Sequence, residues 1–318
     1  MNNIIRIGTR ESQLAVWQAT LVQKSLAKNN IKSELVYIKS EGDIDLQTPL
    51  YEIGVTGIFT RSLDIALINN KIDIAVHSMK DVPTQLANGI VQAAVLERAS
   101  YKDIFVYKEP LASISQQLGY DKDQWILPDS QPFTIATSSI RRMAQWLNRY
   151  PHHSIENLRG NVNTRLRKVT EYNWNGAIFA AAGLERIGVR PTKAIDLDWM
   201  LPAPAQGAIM IVCRDKDTFC LEACKELNDM DTATCTKIER DFLKTLLGGC
   251  STPISALAQI KDGIINFEGN ILSTDGKEKV SINKNIEVNK FEDAGKIWAV
   301  EILKNGAKEI AEGIKNAK

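Results

Sequence analysis

Short apolar runs alternate with amphipathic ones through the first half of the chain. Ile4–Ile7 reads as a strand, and the stretch after it puts Leu14, Trp17, Leu21 and Val22 on one helical face. Glu34–Ile38 reads as a second strand and Ile58–Ile68 as a second helix. Ile72–Val76 is a short buried strand that runs into the polar segment His77-Ser78-Met79-Lys80-Asp81. This strand–helix–strand rhythm predicts a mainly parallel sheet with helices on both faces.

A second unit of the same kind opens near residue 104. Phe133–Ala136 and Ala177–Ala180 read as strands, Ser138–Tyr150 and Asn161–Tyr172 as helices. Leu111–Gln131 reads as a surface insertion. The proline-rich segment Leu201-Pro202-Ala203-Pro204-Ala205 breaks the rhythm, and the apolar run Ala208–Val212 is placed to return to the first sheet. From about residue 230 the pattern changes. A helix over Thr236–Leu247 ends at Gly248-Gly249, and three strands follow, Ile254–Ile260, Ile264–Ile271 and Lys279–Ile286. Lys261-Asp262-Gly263 and Thr274-Asp275-Gly276 supply hairpin turns between them. Helical patterns over Ala294–Asn305 and Ala307–Ile314 close a small α+β unit.

With 318 residues, 44% of them hydrophobic, the chain can fill two or three small cores. A net charge of +1 gives no overall field toward nucleic acid or membrane. The first residues lack a signal-peptide pattern, and no apolar run reaches the length of a membrane span. The expected protein is soluble, cytoplasmic and monomeric. Its five cysteines, Cys213, Cys220, Cys224, Cys235 and Cys250, come without a secretory context and argue against a disulfide framework. No metal site is expected, because Cys220 and Cys224 lack partners at ligand spacing.

Charge is unevenly spread. Residues 141–190 hold nine cations, eight of them arginine, against three acids, a local charge of +6. The planar guanidinium suits paired capture of carboxylate or phosphate, although a charged helix face would also account for the count. Thr137-Ser138-Ser139 lies between a strand and a helix, where a serine cap and free backbone N–H groups form an anion site. Arg141 and Arg142 fall in the first turn of that helix and oppose its dipole, at a cost of about 0.3–1 kcal/mol each; an anion bound there would relieve it. Gly8-Thr9-Arg10-Glu11-Ser12 repeats the design. Two ordinary capped helices are the alternative, but two such caps with arginine suggest a cleft between two α/β units.

Lys80-Asp81 follows a buried strand, where open α/β sheets carry ligands; a surface ion pair worth ~0–1 kcal/mol is the competing account. Gly248-Gly249-Cys250-Ser251-Thr252-Pro253 reads as a tight loop, where a cysteine is less expected in a core than Cys213 beside the apolar run Ala208–Val212. Cys250 is a nucleophile, a covalent attachment point or an inert thiol.

Seven segments match one family in order. They are Ile7-Gly8-Thr9-Arg10-Glu11-Ser12-Gln13-Leu14-Ala15, Ala75-Val76-His77-Ser78-Met79-Lys80-Asp81-Val82-Pro83, Thr137-Ser138-Ser139-Ile140-Arg141-Arg142, Leu158-Arg159-Gly160-Asn161-Val162-Asn163-Thr164-Arg165-Leu166, Ala182-Gly183-Leu184-Glu185-Arg186, Gln206-Gly207-Ala208 and Leu247-Gly248-Gly249-Cys250-Ser251-Thr252-Pro253-Ile254. From near residue 4 to its C-terminus the chain resembles the porphobilinogen deaminases.

The resemblance implies two α/β domains like the lobes of a type 2 periplasmic binding protein, with a cleft between them, plus a small C-terminal α+β domain. The implied boundaries are 1–100 with 205–228, 101–204 and 229–318. It implies a dipyrromethane cofactor held by a thioether to Cys250. Four porphobilinogens are added stepwise, each with loss of ammonia and through an azafulvene, before hydrolysis frees hydroxymethylbilane. Asp81 and Lys80 are the implied catalytic pair. Ser78, Lys80, Thr137, Ser138, Ser139, Arg141, Arg142, Arg159 and Arg165 are the implied cofactor contacts, and Arg10, Ser12, Arg159, Arg165 and Arg186 the substrate contacts. The implied partners are porphobilinogen and the growing polypyrrole chain. A non-catalytic two-lobed solute-binding protein and an arginine-based phosphate or nucleic-acid binder are the competing classes; neither accounts for the Cys250 loop.

One segment departs from the family. Gly54-Val55-Thr56-Gly57-Ile58-Phe59 carries Thr56 where the family's lid loop usually has lysine. Asp43 and Phe59 still match, and Arg61 is placed to compensate the lost charge.

Overall fold

The computed structural model describes residues 4–39, 59–121, 124–125, 133–246 and 252–316. In chain order the first unit contains β1 (Ile5–Thr9), α1 (Gln13–Lys28), β2 (Ser33–Tyr37), α2 (Arg61–Ile68), β3 (Ile74–Ser78) and β4 (Ile90–Val95). A single 3-10 turn, Met79–Asp81, follows β3. The chain then crosses to a second unit of β5 (Asp103–Tyr107), α3 (Leu111–Leu118), β6 (Tyr120–Asp121), β7 (Gln124–Trp125), β8 (Thr134–Ala136), α4 (Ile140–Arg149), β9 (Ser154–Glu156), α5 (Val162–Glu171), β10 (Gly176–Ala180), α6 (Ala181–Glu185) and β11 (Ala194–Asp196). It returns through β12 (Ile209–Arg214) and α7 (Thr218–Lys225).

The two main sheets repeat one plan. Their orders are β2-β1-β3-β12-β4 and β9-β8-β10-β5-β11. In each, the first three strands are parallel, and the fourth runs antiparallel to both its neighbours. The mainly parallel sheet expected from the sequence is therefore a mixed one. The reason is topological: the reversed strand is the one the chain lays down on arriving from the other unit, β5 on the way out and β12 on the way back. The run at Ala208–Val212 does return to the first sheet, at its fourth position.

Alternation along β3 separates two cores, with Ile74 and Val76 packing against α1 and Ala75 against the layer that includes Leu63 and Leu67 of α2. Helix α1 is rotated from the expected face. Gln18, Ala19, Val22 and Leu26 are its buried side, while Trp17 and Leu21 pack only at the margin. Trp17 instead meets the second unit, with the Arg186 guanidinium 5.8 Å above its ring.

The reading of Leu111–Gln131 as a surface insertion is corrected for its first part. Ile114 and Leu118 of α3 are fully buried in one core with Phe105, Trp146 and Tyr150. The Tyr150 hydroxyl donates to the Leu118 carbonyl at 2.8 Å. The helix completes the second unit's hydrophobic layer, and burying two large side chains holds it there.

The third unit begins with α8 (Met230–Thr245), which starts earlier than its apolar pattern suggests because Asp229 caps it through the Thr232 N–H. Strands β13 (Ile254–Lys261), β14 (Ile264–Leu272) and β15 (Lys279–Glu287) form an antiparallel sheet, joined by turns at the expected places. Asp262 and Gly263 both have positive φ, as a two-residue hairpin turn requires. Helices α9 (Ala294–Ile302) and α10 (Lys308–Asn316) join α8 over one core around Phe242, Phe267 and Trp298. This unit also buttresses α4: Gln145 bonds Ser255 at 3.0 Å and Asn148 bonds the Gly276 carbonyl at 2.7 Å.

The two crossover segments lie side by side. Ala99 N–H donates to the Gly207 carbonyl at 3.2 Å. Gly207 has φ +89°, and a Cβ there would fall 2.6 Å from the Ala99 oxygen, so only glycine permits this approach. Ala205, two residues earlier, is also left-handed at φ +62°, an uncommon conformation for a residue with a Cβ.

Candidate functional site

The turns after the parallel strands β1, β3, β8 and β9 carry polar residues singled out above. After β3, the 3-10 turn holds Lys80 and Asp81, both half-buried. Arg240 of α8 grips this turn from behind, donating to the carbonyls of Met79 at 3.3 Å, Val82 at 2.9 Å and Pro83 at 2.6 Å. Ser78 does not face this region as a free hydroxyl; it exchanges hydrogen bonds with Gln18 at 2.9 and 3.3 Å. Ser12 caps α1 through the Ala15 N–H at 3.4 Å. Arg10 lies 4.4 Å above the Phe59 ring. Arg61 is exposed at the start of α2. Asp43 and Thr56 lie outside the described residues.

In the second unit, Ser139 is the N-cap of α4, as the sequence pattern predicts. Thr137 Oγ1 accepts from the Ser139 N–H at 3.2 Å, and the Ser138 hydroxyl donates to the Leu158 carbonyl. The anion expected at this helix start is supplied by the chain itself. Asp103, first residue of β5 and 0% exposed, takes Arg141 Nη2 at 2.6 Å and Arg142 Nη2 at 2.8 Å. Arg141 also donates to the Leu201 carbonyl at 2.7 Å and Arg142 to the Ile178 carbonyl at 3.0 Å. Despite these bonds, Arg141 Nε is buried with no hydrogen-bond partner among the described residues.

The two sets share one electrostatic field. Burial pushes the Lys80 amine down to about 8; the Asp81 and Asp103 carboxylates resist that fall, and Arg142 and Arg141 add to it. Burial likewise pushes Arg165 down to about 10, with Arg142 and Arg159 adding repulsion and Asp81 opposing it. Arg165 Nε donates to the Gly160 carbonyl at 2.7 Å, and Arg159 is 3% exposed. Arg186 stands further along, donating to the Gly207 carbonyl at 2.6 Å, and burial lowers it to about 10. Lys80, Arg141, Arg142, Arg159 and Arg165 thus act on one another while Asp81 and Asp103 supply the opposing charge. Five cations, three of them (Lys80, Arg141 and Arg165) pushed by burial to hold their own protons less tightly, face two carboxylates and make a region that favours added anionic groups.

The four described cysteines are all buried. Burial pushes Cys213 up to about 11 and Cys224 and Cys235 up to about 12, and raises Cys220 as well. None is poised as a thiolate. Cys250, the candidate attachment point, lies outside the described residues.

Sequence reasoning missed Asp103, Arg98, Glu239 and Arg240, and placed Gln206 in a matching segment without giving it a role. The Gln206 amide donates to Asp103 at 2.9 Å and accepts from Lys80 Nζ at 3.3 Å. A charged residue opening the apolar run Ile104–Tyr107 was the available signal for Asp103; the others are set by contacts between distant segments.

A family model described as porphobilinogen deaminase, dipyromethane cofactor binding domain, matches residues 5–222, and one described as porphobilinogen deaminase, C-terminal domain, matches residues 233–304. The chain belongs to the porphobilinogen deaminase family. A porphobilinogen deaminase of Chlorobium phaeobacteroides is 37% identical over 98% of this chain and 97% of its own length. One of Acidithiobacillus ferrooxidans is 36% identical over the whole of both chains, and one of Campylobacter hominis 37% identical over 97% of each. Among solved structures, the methionine-binding protein MetQ has 15% identity over 73% of this chain and 92% of its own, with a TM-score of 0.43, too low a likeness to bear on function.

The family's cofactor fits the residues present. A dipyrromethane carries two carboxylates on each pyrrole. The excess of buried cations and the unsatisfied Arg141 Nε match an anionic group better than a neutral one. Among the described residues, no helix is long and apolar enough to cross a membrane.

Proposed function

We propose that the chain is a hydroxymethylbilane synthase that joins four porphobilinogens head to tail, releasing ammonia at each addition and hydroxymethylbilane at the end. Two α/β domains, 1–100 with 205–228 and 101–204, would close around the growing chain, and residues 229–318 would present Cys250 as the thioether link to the cofactor. When bound, the dipyrromethane would supply the free α-carbon that takes up the first pyrrole, and each later unit would join the free α-carbon of the ring before it.

The observation that supports this reading best is the mutual field of Lys80, Arg141, Arg142, Arg159 and Arg165 around Asp81. Arg159, Arg165 and Lys80 bind acetate and propionate groups as charge-assisted pairs. Arg141 and Arg142, already braced by Asp103, offer their remaining donors to the earliest carboxylates. Thr137, Ser138 and Ser139 add short hydroxyl contacts, and Ser78 acts through Gln18. Arg10, Ser12 and Arg186 receive the incoming porphobilinogen. Asp81 is the lone carboxylate on the turn after β3, so it stabilises the positive charge that develops as the aminomethyl carbon–nitrogen bond breaks. It then accepts the α-proton displaced when the new carbon–carbon bond forms.

The deciding experiment is the intact mass of the denatured protein beside Cys250→Ser. The expected result is an excess of two pyrrole units that disappears in the variant. A bare wild-type mass that porphobilinogen does not raise in pyrrole increments would overturn the reading. It would favour the solute-binding alternative.

A further inference from the structure

Asp103 is the only carboxylate that the described residues place against both Arg141 and Arg142. It stands where the first crossover ends and β5 begins. Its Oδ1 also receives the Gln206 amide, whose oxygen takes Lys80 Nζ. Gln206 is 1% exposed, sits between the left-handed residues Ala205 and Gly207, and donates as well to the Tyr101 carbonyl at 2.8 Å. Its amide group therefore has little freedom. A continuous chain of contacts runs from Lys80 on the first unit, through Gln206 on the returning crossover, to Asp103 and the two arginines of the second. Among the described residues, the charged groups that act most strongly on Lys80 are Asp81, Arg142, Asp103 and Arg141.

Resting on the function proposed above, we infer that Asp103 is a positioning residue. It is a built-in counter-anion that fixes the Arg141–Arg142 pair and, through Gln206, keeps Lys80 charged and aimed at the carboxylates to be bound. Without it, three cations would converge with Asp81 as their nearest opposing charge, and the lysine, the most easily discharged of them, would give up its proton. The arrangement makes the carboxylate-binding set rigid before any ligand arrives.

The test reads Lys80 itself. Trace labelling of the full-length protein with acetic anhydride across pH, followed by peptide mass spectrometry, gives the midpoint at which the amine becomes reactive. Asp103→Asn removes the charge and keeps the shape. The expected result is a midpoint moved to lower pH, with labelling at neutral pH faster on the order of tenfold. A purely structural role predicts the opposite sign, because loosening the region would hydrate Lys80 and raise its midpoint toward that of an ordinary lysine. Gln206→Met leaves both arginine pairs on Asp103 but removes the amide that bridges Asp103 and Lys80, together with its bond to the Tyr101 carbonyl; its midpoint should also fall. If Asp103→Asn does not fold, this second variant decides. An unchanged or raised midpoint in Gln206→Met, or a raised one in a folded Asp103→Asn, overturns the inference. Intact mass on the same samples reports the pyrrole adduct separately, so loss of the broader reading would be seen as a missing adduct and not as a labelling result.

Discussion

Glu239 receives Arg98 through both carboxylate oxygens, at 2.6 and 3.1 Å, while remaining 0% exposed. The same carboxylate accepts the Ala205 N–H at 2.6 Å and the Ala258 N–H at 2.8 Å. One acid on α8 thereby holds the outgoing crossover, the returning crossover and the third unit's sheet. Arg98 Nε completes the junction by donating to the Gln206 carbonyl at 2.8 Å.

Glu239→Ala leaves the Arg98 charge and two N–H groups without their acceptor in a sheltered place. Removing one member of such a pair costs about 3–5 kcal/mol. Urea unfolding should show a loss of that size, with Glu239→Gln recovering only part of it. A loss below about 1 kcal/mol, the range of exposed pairs, would mean that the junction is solvated in solution.

Asp81→Asn keeps the shape of the turn that Arg240 grips but removes its negative charge. The variant should still carry the pyrrole adduct by intact mass. Its turnover should fall roughly a hundredfold to ten-thousandfold, the span of a lost general acid–base group. Near-normal turnover in a fully loaded sample would take Asp81 out of the chemistry.

Lys80 sets a pH dependence whose sign follows from its depressed affinity. The amine is charged below about 8 and neutral above it. Carboxylate capture should weaken as pH rises through that point, so KM for porphobilinogen rises more than kcat falls. Lys80→Arg, which stays charged throughout, should flatten the KM profile. Stability moves the other way. The folded state releases this proton near 8 and the unfolded chain only near 10.5, so between those values the unfolded chain binds more protons and the group's contribution improves with pH. A KM that does not change between pH 7 and 9.5 would separate Lys80 from substrate binding.

Much of this was legible in the sequence, for local reasons. Alternation marked β13 to β15 within a residue or two, and the serines at 12 and 139 marked two helix starts, because periodicity and capping act over a few residues. The turn after β3 was legible as a polar segment following a buried strand. The use of Arg141 and Arg142 was not. Their partner Asp103 lies nearly forty residues away, and its pairing depends on a strand that enters the sheet in reverse. Leu111–Gln131 misled for a similar reason: Ile114 and Leu118 look like two stray apolar residues until Trp146 and Tyr150 come to meet them.

The reversed fourth strand of each main sheet also orders events in time. A ribosome delivers β5, β8, β9, β10 and β11 before it delivers β12. The second sheet can therefore close while the first still lacks the strand between β3 and β4. Until residue 214 has emerged, those two strands present unpaired edges, and the part of the protein made first is the later of the two to be finished.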